Sequence, residues 1–194
     1  MKTVTALFDA YVDAEDAVRE LEGIGIPSSD ISIVANNADN SHDVENRSDT
    51  EEDTATGAGI GAAVGGAGGL LTGLGIIAIP GVGPVVAAGW LAATAVGAVA
   101  GAVAGGAAGG IIGALTDSGV SEQDAHVYAE GVRRGGTLVT ARVEEQLVTQ
   151  AEEILGQSGS VDVSARRSDF ESDGWSGFDP KASNYSADEA RRVP

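Results

Sequence analysis

The sequence predicts an α+β fold: a ferredoxin-like βαβ-βαβ sandwich interrupted by a glycine-rich antiparallel helical hairpin. Three observations carry that expectation. Two strand-helix-strand patterns, one near each end, flank sixty consecutive residues, Gly57 to Thr116, that include no Asp, Glu, Lys, Arg or His. The second pattern echoes the first: Val4-Thr5-Ala6 followed by Ala17 and Leu21 matches Val139-Thr140-Ala141 followed by Ala151 and Leu155. Inside the charge-free stretch, glycine recurs every fourth residue in two ladders, Gly57, Gly61, Gly65, Gly69, Gly73 and Gly97, Gly101, Gly105, Gly109, Gly113. The chain divides accordingly into residues 1–36, the first half of the sandwich; 37–56, an acidic linker; 57–116, the hairpin; 117–166, an extra helix and the second half; and 167–194, a tail.

Thr3 to Phe8 is rich in β-formers and reads as a strand. A helix follows, capped by Asp13 with Asp16, with Ala14, Ala17, Val18 and Leu21 on one face and Gly23 and Gly25 ending it. Ile31, Ile33 and Ala35 share one face of a second strand. From Asn36 to Thr56 seven carboxylates are opposed by Arg47, the composition of a solvated spacer. Its acids lack the glycine turn and closing glutamate of a calcium loop. His42 reads there as a surface residue.

Residues four apart share a helix face, so each glycine ladder predicts a groove without side chains, where another backbone approaches closely. Ala58 to Ile79 has 22 residues, a length of about 33 Å that suffices for a bilayer core. Val85 to Leu115 is longer, and Pro80-Gly81-Val82-Gly83-Pro84 breaks the two apart. The expected structure is a two-span membrane hairpin that self-associates through its glycine faces, with Trp90 near the lipid interface. A hairpin buried between the subunits of a soluble oligomer is the alternative. The motif Gly57-x-Gly59-x-x-Ala62 follows an acidic run instead of a strand, which argues against a dinucleotide fingerprint.

Ser121-x-x-Asp124 predicts a capped helix carrying Ala125, Tyr128, Ala129 and Val132, closed by Arg133 and Arg134 before Gly135-Gly136. The two arginines suit the negative end of the helix dipole; an anion or partner site is the sharper reading of them. His126 has no partner in view. Leu138 to Val143 and Val161 to Ala165 read as strands around a helix through Leu147, Ala151, Ile154 and Leu155. The tail beyond residue 167 has the composition of a disordered segment, although Trp175 and Phe178 are spaced to dock in a groove.

With 11 basic and 29 acidic residues, the formal charge of −18 disfavours nucleic acid as a partner. The absence of cysteine removes disulfides and thiolate chemistry. Two scattered histidines and no paired carboxylates in a candidate pocket give no acid, base, nucleophile, metal or cofactor assignment, so the expectation is a protein without catalytic activity. The N-terminus has no apolar signal core, and both soluble halves are expected in the cytoplasm.

The segments Val4-Thr5-Ala6-Leu7-Phe8-Asp9, Pro80-Gly81-Val82-Gly83-Pro84-Val85 and the run Asp124 to Val139, DAHVYAEGVRRGGTLV, give the chain a resemblance to a known family over nearly its whole length. It resembles the bacterial general stress proteins that carry a heat-induced stress-protein domain at the N-terminus. The resemblance implies a stress-associated, often membrane-annotated protein. It supplies no catalytic residues. The leading functional expectation is a membrane-associated, homo-oligomeric stress protein; the alternative is a soluble oligomeric ligand-binding or regulatory module.

Overall fold

A computed structural model describes residues 1–37, 75–79, 82–91, 94, 109–182 and 185. Five strands form one antiparallel sheet: β1 (Lys2–Phe8), β2 (Ile31–Asn36), β3 (Gly75–Ile79), β4 (Gly83–Ala88) and β5 (Thr137–Val143). Their order is β1-β5-β2-β4-β3. The described helices are α1 (Tyr11–Gly23), α2 (Ala114–Asp117), α3 (Glu122–Arg133), α4 (Val148–Gln157) and α5 (Val163–Ser172).

The echoed triplets meet across the β1–β5 pair, at one edge of the sheet. Val4 lies opposite Ala141, Thr5 opposite Thr140, and Ala6 opposite Val139. Because side chains alternate across a strand, Val4, Ala6, Phe8, Val139 and Ala141 face a layer formed by α1 and α4, whose Ala17, Leu21, Ala151 and Leu155 are buried against them. Leu7, Val34 and Leu138 face the opposite side, where Leu91, Ile111, Leu115, Ala125, Ala129 and Val132 cover them. The sheet therefore has a helical layer on each face.

The order of β1, β5 and β2 is that of the first three ferredoxin-like strands, but three expectations are corrected. The helical hairpin fails at its centre, where β3 and β4 form a β-hairpin and β4 pairs with β2. Val85 to Ala88 are all buried, and a strand buried on both faces presents the same unbroken apolar run as a buried helix. The Pro-Gly break does mark a chain reversal, between strands instead of helices. Trp90 leaves that hairpin to donate from Nε1 to the Asp30 carbonyl at 3.1 Å, with the Arg142 guanidinium 4.9 Å from its ring centre. Among the described residues no helix is long and apolar enough to cross a membrane.

The expected strand at Val161 to Ala165 is also absent. Val161 donates one backbone bond to Leu7, at 2.8 Å, on the free edge of β1. Asp162 then accepts from the Ala165 N–H at 2.7 Å, and this cap starts α5 instead. The third correction concerns the tail: residues 167–172 belong to α5, and the chain beyond it packs on α3. At the first helix, Ala10 is the N-cap and Asp13 lies within the first turn without a side-chain capping bond.

Of the ladder glycines, Gly57 to Gly73 and Gly97 to Gly105 lie outside the described residues, as do most of the acidic linker and His42. Gly109 and Gly113 bound a helical turn that is broken at Gly110.

Candidate tail-docking site

The site begins with the end of α3. Ser121 accepts from the Asp124 N–H at 3.1 Å and starts the helix as its spacing predicts. The helix ends in a glycine-dependent turn, in which the Gly135 N–H bonds to Val132 and the Gly136 N–H to Gly131, with Gly135 at φ 107°. Asn36, from the end of β2, donates through Nδ2 to the carbonyls of Val132 at 3.1 Å and Arg133 at 3.2 Å. This side chain adds a second bond to the Val132 carbonyl, pairs that of Arg133 and fixes the helix C-terminus to the sheet. Gly131 allows the close approach: a Cβ there would lie 2.4 Å from Leu7 Cδ2 on β1.

Glu130 is fully buried. Its Oε1 accepts from Arg133 Nη2 and from Arg134 Nε, each at 2.7 Å. Spacings of three and four residues bring all three side chains to one helix face. A buried carboxylate is costly unless paired and hydrogen-bonded, so both arginines are structurally required beside it. The anion that this pair holds is supplied by its own helix. Glu130 Oε2 and Arg133 Nε have no hydrogen-bond partner among the described residues.

The outer faces of the guanidiniums carry the C-terminal segment. Arg134 lies 4.3 Å from the Phe170 ring centre, and Arg133 lies 5.8 Å from Phe178 and 5.0 Å from Tyr185. Such cation-π contacts are each worth about 0.5–2 kcal/mol depending on desolvation. Phe170, itself 1% exposed, meets Trp175 edge to face at 5.7 Å. The Phe178 N–H donates to Nδ1 of His126 at 3.1 Å, which requires the neutral imidazole with its proton on Nε2. Arg167 bonds Asp124 at 2.5 Å and ties α5 to the start of α3.

The structure thus joins two features that the sequence presents separately: Arg133 and Arg134 on one side, Trp175 and Phe178 on the other. It adds Glu130, Asn36, His126, Phe170 and Tyr185, which the sequence analysis does not select. Asn36 is signalled by a polar residue ending an apolar strand, and Glu130 by its spacing from the arginines. Beside the docked segment lies a cleft of about 300 Å³ between His126, Arg167, Glu171 and Trp175. Trp175 Nε1 is buried there without a partner among the described residues. Among the described residues no three of His, Asp and Glu converge as a metal site.

Residues 3–78 match the family model of the heat induced stress protein YflT domain. The match covers β1, α1, β2 and most of β3; the Asp124 to Val139 segment lies outside it. No curated protein and no solved structure matches the chain.

Proposed function

We propose that this chain, a member of the bacterial general stress protein family through its YflT domain, is a non-enzymatic stress-response module whose state is set by docking of its C-terminal segment. The observation that carries the reading is the Glu130 oxygen shared by Arg133 and Arg134, which leaves the outer faces of both guanidiniums to the aromatic rings of that segment. A buried carboxylate holding two cations is a rigid platform, whereas cation-π contacts and one backbone bond are individually weak and exchangeable. Two groups that line the cleft are engaged in holding the C-terminal region, His126 by the Phe178 N–H and Arg167 by Asp124; Glu122 and Glu171 line it as well.

The regulatory-module reading is favoured over the membrane hairpin because β3 and β4 occupy the sheet where the hairpin needs helices. Self-association through the glycine ladders rests on their spacing alone.

Complementation under heat challenge tests the reading. A strain lacking the protein is supplied with the wild type, the double variant Arg133→Gln/Arg134→Gln, or His126→Asn. Asparagine retains an acceptor for the Phe178 N–H but removes the imidazole. The proposal expects the double variant to lose protection and His126→Asn to keep it. Loss of protection with His126→Asn while its segment stays docked would overturn the non-enzymatic reading in favour of imidazole chemistry.

A further inference from the structure

The outer edge of β1 is the place where a ferredoxin-like sheet carries its fourth strand, and the chain reaches it with the single bond from Val161 to Leu7. In an antiparallel strand, alternate residues direct both backbone groups to the same side. The Leu7 carbonyl points outward to Val161, and the Thr5 carbonyl accepts from Tyr128 Oη at 3.2 Å. Thr3, Thr5 and Leu7 therefore direct their amide groups away from β5. The Thr3 N–H and C=O and the Thr5 N–H have no partner among the described residues.

These groups form the floor of a cleft of about 350 Å³. Asp124 and Tyr128 of α3 stand on one side of the sheet plane, with Glu152 and Leu155 of α4 on the other. A strand laid along β1 would direct successive side chains alternately to these two walls. We propose that the open edge of β1 takes an extended basic peptide segment of a partner protein as an added strand, in the position of the missing fourth strand.

Charge selects this occupant. Of the two wall acids, Asp124 is held by Arg167 and Ser121, and Glu152 has no cation beside it among the described residues; in a chain with a formal charge of −18 it complements lysine and arginine. Strand addition supplies affinity through main-chain hydrogen bonds and specificity through alternate side chains. The inference is independent of the arginine clamp, which lies at the other end of α3.

The test uses the full chain and a capped hexapeptide of alternating lysine and valine, with binding read by fluorescence anisotropy and by amide NMR shifts. Saturable binding that moves the Thr3 and Thr5 amides is expected. The same peptide N-methylated at every amide keeps its charge but cannot pair, so it should bind about tenfold more weakly or worse. A glutamate-valine peptide should not bind. Thr3→Pro removes an outward N–H without touching the β5 ladder and should weaken binding likewise. Equal affinity for the N-methylated peptide, no binding of the lysine-valine peptide, or unmoved Thr3 and Thr5 amides would each overturn the proposal. Dimerisation that protects those amides without peptide would overturn it in favour of a second copy.

Discussion

The backbone N–H of Phe178 lies 3.1 Å from Nδ1 of His126, across 52 residues of chain, and fixes the C-terminal segment to the middle of α3. The bond needs an acceptor at that ring position and nothing else of the imidazole. His126→Asn should therefore keep the segment docked, whereas His126→Leu should free it. Limited trypsin cleavage after Lys181 should be slow in the wild type and His126→Asn, and faster in His126→Leu.

Removing Glu130 leaves two arginines at a site built around its carboxylate. Glu130→Ala is expected to destabilise the fold by about 3 kcal/mol, in the range for breaking a buried ion pair. Urea unfolding measures the loss. A change no larger than that of an exposed pair such as Lys2 with Glu145 would contradict the structural role assigned to the carboxylate.

Gly89 turns the chain from β4 toward Trp90 at φ 89°. A Cβ there would lie 2.1 Å from the Ile31 carbonyl oxygen and 2.7 Å from Ser32 Cα, backbone atoms of a central strand. Gly89→Ala should cost about 3 kcal/mol or more, because positive φ and a backbone clash combine. Gly156→Ala is the contrasting case: an added Cβ meets nothing within 4 Å on a helix, and it should stabilise by roughly 0.5–1 kcal/mol. Thermal unfolding of both variants checks the pair.

The Tyr128 phenol is pushed up to about 12 from its ordinary value of 10, first by burial and second by the Asp124 carboxylate. Between those pH values the unfolded chain has released a proton that the folded chain keeps. The stability this group contributes is therefore complete below pH 10 and is lost as pH rises through about 12. The loss should be of the order of 2 kcal/mol, and Tyr128→Phe should flatten it. Urea midpoints measured across that window give the slope.

The sequence makes the first three sandwich strands legible because Thr5 and Thr140 sit at the centre of matching triplets that become direct cross-strand partners. The capped helix from Ser121 is legible for a similarly local reason, the side-chain bond to Asp124. β3 and β4 are not, since burial of Val85 to Ala88 erases the alternation that distinguishes a strand from an apolar helix. At Val161 the alternation is present but Asp162 overrides it by capping a helix. The docking site is hidden for a different reason: Arg133 and Phe178 are far apart in sequence, and their meeting depends on how α5 packs against α3.

Hydrogen exchange over residues 173–182 tests the docked C-terminal segment most directly, comparing the wild type with Arg133→Gln/Arg134→Gln. The account predicts slow exchange at the Trp175 and Phe178 amides in the wild type, where each N–H is bonded, to Phe170 and His126 respectively. In the double variant the Phe178 amide should exchange faster while those of β1 and β5 remain protected. Equal exchange at Phe178 in the two proteins, with the sheet intact in both, would show that the arginine pair does not hold the segment.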